Sequence, residues 1–311
     1  MNTEPLIAVA SRSFSSSAEL RGQLLESFSN CRFNEAGLRL SDDALADFLE
    51  GASGAIVGVE PINAHLLSRL PHLRVISKFG VGLDSIDVDE LSRRNIVLAA
   101  SAGTNAQAVA ELALLLSMAA LRRLPEALEN TRSERWSAVT GRLLVGKTVG
   151  LIGVGHVGRA FIDLLGAFNC RILGFDVVPD TSTAIEFVEL QELLALSDVV
   201  SVHLPLTAST RGLLGADEFA LMKDRSVLIN TSRGPIMDER ALVAALKSGA
   251  ISAAGLDVLE QEPPDSWELA RLRNVILTPH MAGSSEESNM DMGLAALKGL
   301  VDNRQYLRQQ S

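Results

Sequence analysis

Short apolar runs separated by amphipathic stretches dominate the first hundred residues. Leu6-Ile7-Ala8-Val9 reads as a strand, and residues 41–49 read as a helix capped by Ser41. A strand over 54–59, a helix over 62–70 and a strand over 73–77 follow. Asp87 opens a helix reaching 94, and 95–98 is a further strand. Such runs do not alternate with polar residues, so both faces of the strands are buried. That is the mark of a parallel sheet covered by helices on each side.

Near 99–103 the pattern changes. A long helix is predicted over 105–123, with little charge between Glu111 and Arg122, followed by a polar stretch at 129–135. A second α/β run begins at Lys147, with strands over 147–152, 171–175, 198–202, 226–230, 253–257 and 275–277. The tail over 290–301 is helical and weakly amphipathic. The whole reads as an α/β chain with two doubly wound parallel sheets.

A length of 311 residues suits two domains, and 47% hydrophobic residues supply two cores. The longest apolar run, 112–121, is about half of a membrane span. It is therefore read as a buried or interface helix. The apolar run near the start, 6–10, follows no basic region and is too short for a signal peptide. A net charge of −10 argues against nucleic acid or an anionic membrane as partner. The same charge repels an acidic substrate, so a local cation must attract it. Cys31 and Cys170 have no ligand-like spacing. They read as reduced thiols in a cytoplasmic protein without a metal site.

Gly153-Val154-Gly155-His156-Val157-Gly158 follows one strand and opens a helix, and the next strand ends in Asp176. Gly153 permits the tight turn, Gly155 the approach of a pyrophosphate, and Gly158 close packing of helix on strand. The helix start offers unpaired N–H groups to the anion. A carboxylate at Asp176 accepts from ribose hydroxyls and repels a 2′-phosphate. Val177, Val178 and Pro179 follow it, with no arginine. The cofactor expected is NAD(H) in preference to NADP(H).

Three residues carry the candidate chemistry. Arg233 lies in Asn230-Thr231-Ser232-Arg233-Gly234-Pro235, just after a strand. Its planar fork can hold a 2-keto acid at two points, which lysine cannot. Glu262 lies in a loop before Pro263-Pro264, with Asp257 five residues earlier. His280 follows a strand and Thr278-Pro279. A carboxylate bonded to an imidazole favours its protonated form and fixes the ring, which makes a general acid.

These strings resemble the D-isomer-specific 2-hydroxyacid dehydrogenase family. The resemblance extends to 78–87, Val109-Ala110-Glu111-Leu112-Ala113, Val145-Gly146-Lys147-Thr148-Val149-Gly150 and Val202-His203-Leu204-Pro205-Leu206-Thr207. It implies a Rossmann NAD domain over 101–282, inserted into a flavodoxin-like substrate domain made of 1–100 and 283–311. It implies a homodimer packed through the long helix. It further implies His280 as acid/base, Glu262 as its partner and Arg233 as the substrate-orienting cation. Asp257 resembles the residue that holds the nicotinamide carboxamide. His156 and Val157 resemble residues over the pyrophosphate, while Leu204, Pro205, Thr231, Ser232 and Gly283 resemble residues that line the cofactor. The N–H groups of Val81 and Gly82 resemble the cradle of the substrate carboxylate, with Lys78 adding one positive charge. The expected activity is NAD(H)-dependent reduction of a small 2-keto acid, of the hydroxypyruvate/glyoxylate or phosphoglycerate type. Family members that act as NAD(H)-sensing corepressors keep the same residues, but here no basic face or docking tail is visible. Glu60 departs from the phosphoglycerate pattern, which tends to place arginine near this position. Facing the site, Glu60 would repel a phosphate.

Overall fold

The computed structural model describes residues 4–179 and 185–307. The chain forms two compact units, one of Met1–Asn105 with Ser284–Ser311 and one of Ala106–Gly283.

The first unit is built on five parallel strands, β1 (Ile7–Val9), β2 (Cys31–Phe33), β3 (Gly54–Val57), β4 (Val75–Lys78) and β5 (Val97–Ala99). Their order is β2-β1-β3-β4-β5, the flavodoxin-like arrangement. Successive side chains point to opposite faces, and both faces are covered. Ile7, Val9, Ile56 and Val75 join Phe14, Leu20, Leu24 and Leu300 in one core. Ala8, Ala55, Val57 and Ile76 join Leu45, Leu49, Leu66 and Leu91 in the other. The long helix near the C-terminus, Glu286–Asp302, belongs to the first of these cores. Ser77 Oγ donates to the Ala296 carbonyl at 2.6 Å. A side chain at Gly299 would collide with Ser77 and Ala99, so only glycine lets this helix lie so close to the sheet.

Several element ends differ from expectation. Ser41 occupies the cap position of helix Asp42–Leu49 without making a side-chain cap bond. Asn63 caps the next helix, Ala64–Ser68, later than expected, and Asp87 caps Val88–Arg93 as expected. Helices Arg12–Ser16 and Ala18–Ser27 and strand β2 are not foreseen. Helix Ala18–Ser27 buries only Leu20 and Leu24, so it leaves little periodic signal. Helix Glu286–Asp302 starts earlier than 290. Ser285 accepts from Ser288 N, and Glu286 and Glu287 suit the positive end of the helix.

The second unit carries seven parallel strands, β6 (Thr148–Ile152), β7 (Arg171–Phe175), β8 (Glu186–Phe187), β9 (Val199–Val202), β10 (Val227–Asn230), β11 (Ala253–Leu256) and β12 (Val275–Leu277). Their order is β12-β11-β10-β9-β6-β7-β8. The chain leaves β6 towards β7 and β8, then returns to the other side of β6 as β9. This reversal is a topological switch point, and ligands of open α/β sheets bind at the carboxyl ends beside it. Helix Ala106–Leu121 rides on β10 and β11. A Cβ at Gly255 would lie 2.8 Å from Leu116 Cβ. The stretch expected to be polar, 129–135, contains the end of helix Leu124–Arg132, none of whose residues is buried. Its apolar side chains, Leu124 and Leu128, are left exposed, so the helix does not add to the core of the unit. The two-residue edge strand β8 was too short to read.

Candidate active site

Backbone sterics shape the glycine loop after β6. Gly153 has φ +99°, and a Cβ there would stand 2.8 Å from the carbonyl carbon of His203. A Cβ on Gly158 would stand 2.5 Å from the Gly153 oxygen, so helix and loop touch. Gly155 is different, because nothing lies within 4 Å of where its Cβ would be. Gly155 also heads helix His156–Leu165, which has no side-chain cap. Its first N–H groups are left for an external acceptor. His156 is exposed and Val157 half-buried. Asp176 Oδ2 accepts from Val154 N at 2.8 Å and Oδ1 from Val178 N at 3.2 Å. The acid therefore stiffens the loop, and its remaining lone pairs are what a ribose would use.

The carboxyl ends of β9 and β10 lie next to that loop. Leu204 is buried and Pro205 exposed. Thr231 Oγ1 and His203 Nδ1 are buried without a hydrogen-bond partner among the described residues. Leaving such a group unpaired costs about 1–3 kcal/mol, so each calls for an external partner. The His203 ring lies edge-on to Phe161 with centroids 5.5 Å apart, and Nε2 pairs with Ser201 Oγ at 2.9 Å. Burial lowers its pKa to about 4, and the ring is neutral. His203 enters the sequence reading only as part of a family string. Its place at a strand's carboxyl end beside a glycine loop was the signal available. Open space at Gly155, uncapped N–H groups and two orphaned polar atoms together fit a polar dinucleotide.

Arg233 is presented by a turn that Asn230 builds. Asn230 Nδ2 donates to the Arg233 carbonyl at 2.9 Å, and Oδ1 accepts from Ser232 N and Oγ at 2.9 Å each. Arg233 Nη1 donates to the Ser232 carbonyl at 2.7 Å. Gly234 then passes against the backbone of Leu259 and Glu260, with no room for a Cβ. This contact locks the Arg233 turn to the loop that carries Glu262.

Glu262 Oε2 and His280 Nδ1 are 2.6 Å apart, and Glu262 Oε1 accepts from Leu259 N at 3.0 Å. The bond to Glu262 raises the His280 pKa against the lowering effect of burial, and the Glu262 and Asp257 charges add to the rise. Burial pushes Glu262 up. The bonds from His280 and Leu259 and the positive charges of His280 and Arg233 outweigh it, so its pKa is lowered. Arg233 thus acts electrostatically on both members of the pair and opposes the protonation of His280.

Asp257 is 1% exposed. Its Oδ1 accepts from Thr278 Oγ1 at 2.5 Å and Met281 N at 2.9 Å, and Oδ2 from Ala282 N at 2.8 Å. These bonds brace the turn in which His280 adopts φ +51°, a left-handed conformation that costs a non-glycine residue energy. The family resemblance implies a cofactor contact for Asp257; the geometry gives it this bracing task as well, which no motif announced. Gly283 closes the same turn, half-buried.

In the first unit, Gly80 has φ +106° and turns the chain after β4. Val81 and Gly82 are half-buried, and among the described residues no group accepts from their N–H. Lys78 is buried, with Nζ donating to the carbonyls of Gly58 at 2.6 Å and Phe79 at 3.1 Å. The sequence leaves open which way Glu60 faces. Glu60 is 1% exposed, and its Oε2 accepts from Gly58 N at 2.5 Å, so the carboxylate braces its own loop.

No helix among the described residues is long and apolar enough to cross a membrane, and none of their side-chain clusters fits a metal. The family model for the D-isomer specific 2-hydroxyacid dehydrogenase NAD-binding domain matches residues 114–282. A glyoxylate reductase of Thermofilum pendens is 40% identical over 254 residues, which are 78% of this chain and 75% of the relative. A hydroxypyruvate reductase of Thermotoga maritima is 37% identical over 239 residues, 75% of this chain and 78% of the relative. A D-3-phosphoglycerate dehydrogenase of Archaeoglobus fulgidus is 36% identical, with 47% of its length covered. Among solved structures, the NADPH-dependent glyoxylate/hydroxypyruvate reductase of Sinorhizobium meliloti, in complex with NADP and malonate, superposes with a TM-score of 0.83. It is 32% identical, over 96% of this chain and 94% of that one. With its dinucleotide-type loop, acid–imidazole pair and nearby arginine, the chain is an oxidoreductase of the CH–OH group that belongs to the D-isomer-specific 2-hydroxyacid dehydrogenase family.

Proposed function

We propose that the protein is an NAD(H)-dependent D-2-hydroxyacid dehydrogenase that works as a 2-keto acid reductase of the glyoxylate/hydroxypyruvate type. The observation that carries this reading is the 2.6 Å His280–Glu262 pair with the charge of Arg233 acting on both. The second unit would hold the cofactor, through Gly153, Gly155, His156, Val157, Gly158, Asp176, Leu204, Pro205, Thr231, Ser232, Asp257 and Gly283. The first unit would hold the substrate. When bound, the nicotinamide supplies the hydride in reduction and accepts it in oxidation.

The residues of the chain supply the rest. Protonated His280 gives its Nε2 proton to the keto oxygen, and Glu262 on Nδ1 steadies the charged ring beforehand. In oxidation, neutral His280 takes the hydroxyl proton through the same atom. Arg233 grips the carboxylate and polarises the carbonyl, which answers the repulsion expected from a net charge of −10. Asp257 keeps the His280 turn from relaxing, so the acid is held in place before substrate arrives.

Selectivity for NAD(H) rests on the Asp176 carboxylate at the end of β7, with exposed Val177 and Val178 beyond it rather than a cation. A homodimer is supported by the apolar side chains left exposed near one another in sequence, Leu115, Met118, Leu124, Leu128, Leu143 and a 97% exposed Trp136. A cytoplasmic location is supported by two free thiols, Cys31 and Cys170.

The test is a substrate panel of glyoxylate, hydroxypyruvate, pyruvate, phenylpyruvate and 3-phosphoglycerate, each with NAD(H) and NADP(H). Reduction of glyoxylate or hydroxypyruvate with NADH is expected to dominate. His280→Ala should cut it by about 10²–10⁴-fold while NADH still binds. Turnover of His280→Ala near the parent level, or inertness of the parent towards every acid in the panel, sinks the proposal.

A further inference from the structure

A cavity of about 390 Å³ opens at the edge of the second unit's sheet opposite the candidate active site. It lies at the amino ends of β10, β11 and β12, whereas the turns of Arg233 and His280 follow the carboxyl ends of β10 and β12. Four arginines line it: Arg123, Arg142, Arg225 and Arg273. The acidic residue in the lining, Glu126, is already paired with Arg123 at 2.5 Å. Arg142 Nη2 donates to Ser252 Oγ at 3.1 Å, a neutral partner. Among the described residues, Arg225 and Arg273 have no ion-pair partner.

Three arginines therefore line one hollow, none of them in an ion pair among the described residues, in a chain whose net charge is −10. Arg142 and Arg225 lie close enough for their charges to oppose each other. Burial first and the charge of Arg225 second lower its pKa, against a smaller opposing pull from Asp198. Asp198 is itself occupied by Lys223 at 2.9 Å and by Thr148 N at 3.0 Å. Arg225 also sits in the left-handed region, at φ +62°, where a non-glycine residue is uncommon. A protein that gathers like charges around a hollow stabilises them by binding the opposite charge. Planar guanidinium groups match oxyanions through paired hydrogen bonds. The volume lies within the range of small-molecule sites and exceeds what a bare halide needs.

We propose that this cavity is a second anion site, distinct from the glycine loop, which takes a small oxyanion with two or more charges, a phosphate ester or a polycarboxylate, between Arg142, Arg225 and Arg273. The inference is independent of the substrate assignment, since it uses none of the residues invoked there.

The full chain, saturated with NADH, is titrated with inorganic phosphate and separately with citrate, by calorimetry and by thermal shift. Ionic strength is held constant with potassium chloride. One saturable site per chain is expected for at least one of the two anions, and the tighter of them tells phosphate from polycarboxylate chemistry. The double variant Arg225→Asn/Arg273→Ala should weaken that binding by at least about tenfold and leave NADH affinity unchanged. Asparagine tolerates the left-handed backbone at 225. If the double variant does not fold, Arg273→Ala alone, at an exposed position, should still weaken binding severalfold. Three results overturn the proposal: no saturable binding at millimolar anion, anion binding abolished by NADH, or folded variants that bind as tightly as the parent.

Discussion

Gly234→Ala is the most demanding test of how the active site is assembled. A Cβ at this position would meet the carbonyl carbon and oxygen of Leu259 and the amide of Glu260, all inside the 3.0 Å that real Cβ atoms respect. All three are backbone atoms, so no side chain can swing away. Since carbon atoms pack at about 3.5–4.0 Å, the two strands of backbone must part by about 1 Å or more. On one side of the contact is the turn of Arg233, and on the other the loop of Glu262. Overpacking of this kind costs about 1–3 kcal/mol of stability, so the variant should fold with a lowered melting temperature. A misplacement of about 1 Å near reacting groups costs about 10²-fold in rate. The expected phenotype is a loss of about 10²-fold in kcat for keto acid reduction, with NADH affinity nearly intact because the glycine loop is untouched. Stopped-flow NADH oxidation and NADH fluorescence titration report the two quantities separately. Activity within about threefold of the parent would show that the contact does not set the geometry of the site.

Three further outcomes are expected. In Glu262→Gln the main cause of the raised His280 pKa is gone, so the alkaline limb of the pH profile for reduction should move to lower pH, as should the acidic limb for oxidation. A profile that stays put would separate His280 from Glu262. His203 is neutral in the fold, with its pKa lowered to about 4, and binds a proton more readily once unfolded. Its sign is that of stability lost as pH falls from about 6.5 towards 4, up to about 3 kcal/mol, and His203→Phe should flatten this acid limb in chemical denaturation. Asp176→Ala should weaken NAD(H) and relax discrimination against NADP(H), read as the ratio of kcat/KM values. An unchanged ratio would remove Asp176 from cofactor selection.

The doubly wound architecture was legible because uniformly apolar strand runs have one solution, burial on both faces. The strands carrying Arg233, Asp257 and His280 were found within a residue or so. What was not legible depends on long-range contact. Helix Leu124–Arg132 is short, rich in charge and buries nothing, and β8 has two residues, so both are easily passed over. The inward turn of Glu60 is set by one amide two residues away, which residue type alone does not reveal. Asp257 was singled out for the right neighbourhood, yet its bonds to Thr278, Met281 and Ala282 join segments about 20 residues apart and needed coordinates. The arginine cavity gathers residues from five separate segments, none of which forms a motif.

Arg233, Glu262 and His280 follow three neighbouring strands, β10, β11 and β12, within a stretch of fewer than fifty residues. On the proposed function, the proton-handling apparatus would thereby be a self-contained cartridge encoded by one short piece of gene. On the same reading, sequence drift elsewhere, in the Gly80–Gly82 loop for example, would retune which acid is accepted without disturbing how a proton is delivered. A lineage built on such a cartridge can diversify its diet by changing loops while inheriting its chemistry intact.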